Sequence, residues 1–315
     1  MKRLFIIVLL ISFVLIDSSC GRRKNKVGDT DLNGDLIIFH AGSLSMPIKA
    51  ISDTFMLLHP NVKILSESSG SIDAARKITE LNRDCDIMAS ADYSIIDKLL
   101  IPEYASENIQ FASNEMAIVF TEKSAYAEKI DTNNWASILL DQKVLIGRAD
   151  PNADPCGYRT VLTLKLAEED FAAKGINCEN LTERILKKDN RFIRPKEVDL
   201  LALLETRSVD YIFLYKSVAE QHHLKYLQLP DMINLGNPNC NSQYEKAKTM
   251  VRGSKPGEMM EMKGEAMVYG VTLLNNAPNK KVAEAYLEFL LSEKGGRKIL
   301  KRMGQEPIYQ LPAHK

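Results

Sequence analysis

Three short segments carry residue types suited to holding a small anion. The first is His40-Ala-Gly-Ser-Leu-Ser45, the second Ser66-Glu-Ser-Ser-Gly-Ser71, and the third Asp150-Pro-Asn-Ala-Asp-Pro-Cys-Gly-Tyr158. Each follows an apolar run and precedes residues at helical spacing. Each therefore sets small hydroxyl or glycine residues at a helix start, where peptide N–H groups lack intrahelical partners and the helix dipole favours negative charge. The hydroxyls of Ser43 and Ser71 add donors. One such loop alone reads as ordinary serine capping. Three in one chain point to a cage for a small oxyanion that needs no Lys or Arg.

Other reactive residues carry less. His222 and His223 are adjacent, and neighbours in a helix do not share a face, so a solvated pair is expected rather than a metal site. Met259, Met260 and Met262, interleaved with Glu258 and Glu261, offer thioethers to copper; packing or a loop in an irregular segment is the expected role. His40 is expected to be structural, although it lies beside the first loop. Glu67 is expected to point away from the second. The sequence has no nucleophile elbow, no ordered Ser-His-Asp set and no metal pair, so a binding protein is favoured over an enzyme, and no cofactor is implied. The cysteines are Cys20, Cys85, Cys156, Cys178 and Cys240. None has CxxC spacing, which argues against zinc, and the last four leave two disulfides open in an oxidising compartment.

The elements that position these loops alternate. Leu36 to Phe39, Val62 to Leu65 and Asp86 to Ala89 read as strands. Between them, Ile48, Ile51, Phe55 and Leu58 mark one helix, with Ser45 as its cap, Pro47 in its first turn and Pro60 as its stop. Ile72, Ala75, Ile78 and Leu81 mark a second, with Ser71 as its cap. This β-α-β-α-β order predicts a parallel sheet with helices on its faces. Ala117 to Thr121, Val144 to Gly147 and Tyr211 to Tyr215 read as further strands. Tyr158 to Leu166, Val198 to Leu204 and Val282 to Leu291 read as helices. The fold class is α/β, and ligands of open parallel sheets bind beyond the carboxyl ends of the strands.

Composition agrees with a globular body. Of 315 residues, 45% are hydrophobic and 26% charged, which excludes wholesale disorder. Lys+Arg and Asp+Glu both number 41, so no basic excess marks a nucleic-acid surface. Lys2 and Arg3 precede an apolar run from Leu4 to Ile16, too short to span a bilayer, which wants about 20 residues. Residues 1–19 read as a signal peptide. Small residues before Cys20 resemble a bacterial lipoprotein cleavage site, with Asp17 in place of the usual aliphatic residue. Residues 20–33 would then form a polar tether from a lipidated Cys20.

Several segments together resemble the tungstate- and molybdate-binding proteins of ABC importers. They are Phe39 to Ser45, Asp86 to Ser94, Gly147 to Arg159, Arg194 to Leu204, Tyr215 to Ala219, Leu229 to Leu235, Met267 to Thr272 and Ala283 to Ser292. The likeness covers about residues 34 to 310, and Asp154-Pro-Cys-Gly-Tyr-Arg159 is its most specific piece. It implies a type II periplasmic-binding fold: two Rossmann-like α/β lobes joined by a two-strand hinge and closing on the ligand. Lobe one would comprise 34–117 and 271–315, and lobe two 118–270.

By this resemblance the ligand-binding residues are Gly42, Ser43, Ser71, Asp154, Pro155, Cys156 and Tyr269. Ser43 and Ser71 would act as hydroxyl donors, Cys156 through its N–H, and Asp154 as a carboxylate ligand of the oxyanion's metal. Tyr269 is either a donor from the hinge strand or a buried hinge aromatic. Asp92 and Tyr93 would serve the lobe interface or line the cleft. The family's second carboxylate is expected on the strand before Tyr215, where this chain has Leu214, so a tetrahedral oxyanion held by hydrogen bonds alone stands as the alternative to the family's six-coordinate site. The implied function is capture of molybdate or tungstate outside the cytoplasm, in the periplasm or at the membrane's outer face, by a monomer that delivers it to an ABC permease. Another small oxyanion such as sulfate is the alternative.

Overall fold

The structure, a computed structural model, describes residues 32–188, 190–253 and 257–308. The expected signal peptide, Cys20 and the tether up to residue 31 lie outside the described residues. The chain begins β1 (Gly34–Ala41), α1 (Ser45–Leu58), β2 (Val62–Ser69), α2 (Ser71–Thr79), β3 (Ile87–Ser90), α3 (Tyr93–Leu99) and β4 (Ile109–Ser113). It continues β5 (Met116–Phe120), α4 (Trp135–Leu140), β6 (Ile146–Ala149), α5 (Pro155–Ala173), α6 (Leu181–Lys188), β7 (Ile193–Arg194), α7 (Leu200–Glu205), β8 (Tyr211–Tyr215), α8 (Lys216–Gln221) and β9 (Lys225–Gln228). It closes with α9 (Asn241–Tyr244), β10 (Lys248–Arg252), β11 (Met259–Lys263), β12 (Val268–Leu273), α10 (Lys280–Leu291), α11 (Gly296–Arg302) and β13 (Glu306–Pro307).

Two sheets define two lobes. The first runs β13-β4-β12-β3-β1-β2 and the second β7-β6-β8-β5-β9. In the first, β1 pairs in parallel with both β2 and β3, as the β-α-β-α-β reading requires. The chain passes between sheets twice, from β4 to β5 through Asn114 and Glu115, and back through 264–267 into β12. Helices cover both faces of the central strands. That is why Ile87–Ser90, Met116–Phe120 and Tyr211–Tyr215 are buried at every residue and read as unbroken apolar runs.

Local outcomes depart from the sequence reading in instructive ways. Ser66 to Ser69 continue β2, paired residue by residue with Ile38 to Ala41, so Gly70 alone separates strand from helix. Ladder pairing to a neighbour decides this, not the weak strand preference of serine. Neither Ser45 nor Ser71 caps a helix: each is the first helical residue, behind Leu44 and Gly70. Met259, Met260 and Met262 lie on β11, which pairs antiparallel with β10 as a separate hairpin. Cys85, Cys156, Cys178 and Cys240 are free thiols, so neither of the two disulfides left open forms.

Candidate functional site

Lobe one presents the ends of β1 and β2 to the cleft. A 3-10 turn, Gly42–Leu44, leads from β1 into α1. The Ser43 N–H donates to Glu197 Oε1 across the cleft. The Ser43 hydroxyl accepts from Tyr269 Oη at 3.0 Å, and that oxygen accepts from Asn114 Nδ2 at 2.8 Å. Gln305 Nε2 holds the Ser43 carbonyl at 3.2 Å. Ser71 opens α2, and its hydroxyl accepts from the Ala91 N–H at 3.0 Å. Both hydroxyls thus accept from within lobe one or the hinge and keep their own hydrogens for another acceptor.

Lobe two presents carboxylates. Asp154 caps α5, its Oδ1 accepting from the Cys156 N–H at 2.7 Å, and Pro155 takes the first helical position, where a missing N–H costs nothing. Its Oδ2 accepts from the Glu197 N–H at 3.3 Å. Burial first, then the charge of Glu197, pushes the Asp154 carboxyl well above the usual carboxylate range. Glu197 opens a 3-10 turn after β7 and is fully buried. Its Oε2 has no hydrogen-bond partner.

Two glycines let the lobes meet. A Cβ on Gly42 would stand 2.4 Å from Glu197 Oε2. One on Gly70 would stand 2.3 Å from the Ala153 carbonyl oxygen and 2.8 Å from that of Pro195, both in lobe two. The Asp73 N–H donates to Ala153 O at 3.3 Å, and Arg76 Nη1 to Asn152 O at 3.0 Å. The cleft is closed, with Ser43, Ser71, Asp154 and Cys156 all buried.

Of the residues marked in the sequence, Gly42, Ser43, Ser71, Asp154 and Tyr269 gather at this cleft. Tyr269 is both a buried hinge aromatic and a hydroxyl donor, to Ser43. The Cys156 N–H is spent on Asp154, so the expected free donor is engaged. Its thiol donates to Phe213 O at 3.5 Å, and burial raises its pKa. Leu214 pairs with Ala117 inside the second sheet, and side chains alternate along a strand, so it faces away from Tyr215. Two carboxyl groups, Asp154 and Glu197, meet at the cleft. His40 is buried and neutral, its Nδ1 2.8 Å from Ala41 O; burial lowers its pKa to about 4. Glu67 turns outward to Lys77 and Arg83.

Sequence reasoning missed Glu197, Asn114 and Gln305. Glu197 had a usable signal: it follows strand Ile193–Arg194 and precedes helical spacing, the same strand–turn–helix pattern as the other three loops. Asn114 and Gln305 had none, because only the fold brings the hinge and the carboxyl-terminal turn beside Ser43.

Comparison with known proteins places this arrangement. Residues 36–306 match the family described as bacterial extracellular solute-binding protein. The molybdate/tungstate-binding protein of Pyrococcus abyssi is 43% identical over 282 residues, covering 82% of this chain and 81% of the relative. A solute-binding protein of Petrotoga mobilis, without an assigned ligand, is 44% identical over 278 residues, covering 88% of this chain and 85% of the relative. Among solved structures, the periplasmic molybdate-binding protein of Azotobacter vinelandii superposes with a TM-score of 0.60 at 13% identity, over 88% of this chain and all of that one. At that identity the likeness speaks for the bilobed periplasmic-binding fold alone. The family is one of transport components and not of enzymes, and this chain belongs to it: it is a bacterial extracellular solute-binding protein.

Proposed function

We propose that the cleft captures molybdate or tungstate. The observation that carries this reading is the combination of hydroxyl donors with two buried carboxylates in one closed site. Sulfate and phosphate present only oxygens around a saturated centre, and two facing carboxylates repel them. Molybdate and tungstate present the same oxygens around a hexavalent metal that accepts further oxygen ligands. Ser43 and Ser71 donate to oxo oxygens. Asp154 and Glu197 approach the metal, widening four-coordination toward six. Without cargo, Glu197 Oε1 accepts from the Ser43 N–H; once the carboxylate turns to the metal, that donor is free for an oxo group. Tyr269, held by Asn114, orients the Ser43 hydroxyl. Loss of water from the anion is offset by several fixed donors. Two relatives, from Pyrococcus abyssi and Thermococcus kodakarensis, carry the molybdate/tungstate name at 43% and 42% identity.

The same reading assigns the chain to an ABC importer. A monomer anchored outside the cytoplasm through lipidated Cys20 closes on the anion and hands it to a membrane permease. Thermal unfolding with molybdate, tungstate, sulfate or phosphate at equal excess tests the ligand. At about 1,000 times the dissociation constant a ligand stabilises by about 4 kcal/mol. A shift confined to molybdate and tungstate is expected. A shift with sulfate or phosphate instead transfers the site to another oxyanion.

A further inference from the structure

A second set of buried charges crosses the same interface, farther along α5 than Asp154. Arg159 belongs to lobe two, and its Nη2 lies 3.2 Å from Asp92 Oδ2, which follows β3 in lobe one. Its Nη1 donates to the Ala91 carbonyl at 2.7 Å and to Tyr215 Oη at 3.2 Å. Tyr158, also on α5, donates its hydroxyl to the same Asp92 oxygen. Arg159, Asp92, Tyr158 and Tyr215 are all buried. The grip reaches the binding loop, because Ala91, held through its carbonyl by Arg159, donates its N–H to Ser71.

Every candidate ligand contact is buried as well, so an anion enters only when the lobes part. Parting them separates Arg159 from Asp92 and returns both charges to water. Resting on the reading of this cleft as an oxyanion site, we propose that Arg159 and Asp92 are positioning residues: their ion pair latches the lobes behind the cargo and sets how slowly it leaves. Desolvation roughly cancels attraction in a buried pair, so the intact pair leaves the closed and open forms of the empty protein close in energy. A single neutralised partner, however, leaves a lone charge buried in the closed form only. The open form holds both groups in water and is indifferent. The effect therefore falls on dissociation, while association, set by the open form, stays nearly constant.

The test is stopped-flow kinetics with tungstate on the full chain and on Asp92→Asn, Arg159→Met, the double variant and Tyr158→Phe. Each single charge change is expected to raise koff by roughly tenfold or more, with kon within about twofold. The double variant, with no lone charge, is expected to recover part of that loss. Tyr158→Phe removes one hydroxyl and raises koff a few-fold; it carries the test if the charge variants do not fold. An unchanged koff in the folded variants overturns the latch, as does an equal loss in kon, which would mark general damage. Solution scattering of the ligand-free proteins separates the latch from the ligand assignment. If the wild type binds no oxyanion, the oxyanion reading falls. The latch then stands if Asp92→Asn is more extended than wild type, and falls if the two radii are the same.

Discussion

Lobe one meets the cleft with the hydroxyls of Ser43 and Ser71, just past the ends of two parallel strands, whereas lobe two meets it with the carboxyl groups of Asp154 and Glu197. The first set suits the oxygens of an anion. The second repels an anion unless the anion has an electrophilic centre to offer. A cage of donors on both sides would accept sulfate and tungstate alike; one donor wall facing one acceptor wall selects by the chemistry of the central atom. The lobes also differ in how they hold these groups. Ser43 is tied to the hinge through Tyr269 and Asn114, while Asp154 and Glu197 are tied to each other by the backbone of lobe two.

The comparison breaks most visibly if a carboxylate is supplied from the wrong place. Leu214→Glu puts a charge into the closed core of the second sheet, and a loss of about 4 kcal/mol in stability is expected on denaturant unfolding. Folded Leu214→Glu protein with a stronger tungstate preference would move the acceptor wall from Glu197 to β8. Lobe one's neutrality is tested by acid. His40 has its pKa lowered to about 4 by burial, against about 6.5 in the unfolded chain, so the unfolded state binds the extra proton first. Its contribution is complete above pH 6.5 and is lost as pH falls from about 6.5 to about 4, by about 3 kcal/mol. Unfolding midpoints across that window check it, and His40→Gln should flatten the slope.

Much of lobe one was legible from sequence because its signals are local. The spacing of Ile48, Ile51 and Phe55, and the apolar runs around Ile38 and Met88, specify buried faces without reference to distant chain. The glycines and serines of the loops announce helix starts. What was not legible depends on closure of the whole molecule. Glu197 looks like a surface glutamate in a Pro-Lys-Glu run until lobe two sets it against Ser43. Leu214 is a buried residue of β8, and its strand pattern alone says only that it points away from Tyr215. The Cys156 N–H looks free until Asp154, two residues earlier, is seen to cap it.

Closeness of the two walls is the next point of attack. Gly70→Ala places a methyl against two lobe-two carbonyls that cannot swing aside. Closure, not folding, should suffer, because the separated lobes leave that methyl in solvent. Affinity for tungstate is expected to fall about a hundredfold, which is about 2.7 kcal/mol, while the ligand-free melting temperature stays within about 2 °C. Titration calorimetry alongside a ligand-free melt checks both halves. A normal affinity would mean that the lobes do not need this contact to hold cargo.

The sharpest probe of the acceptor wall is also the mildest. Glu197→Gln keeps the shape and the Ser43 contact but removes the charge that faces the buried Asp154 carboxyl. Relief of that repulsion should raise the ligand-free stability by about 1 kcal/mol, since a buried acid pair is held together against its own charge. Tungstate affinity should fall about tenfold, because an amide oxygen is a poorer partner for a hexavalent metal than a carboxylate. Sulfate, repelled by the native pair, should bind no worse and gain up to about threefold. That opposite movement is what distinguishes a metal-ligating wall from a merely polar one. If tungstate and sulfate weaken together, Glu197 acts only by shaping the loop around Ser43, and selection by the central atom is not the work of this cleft.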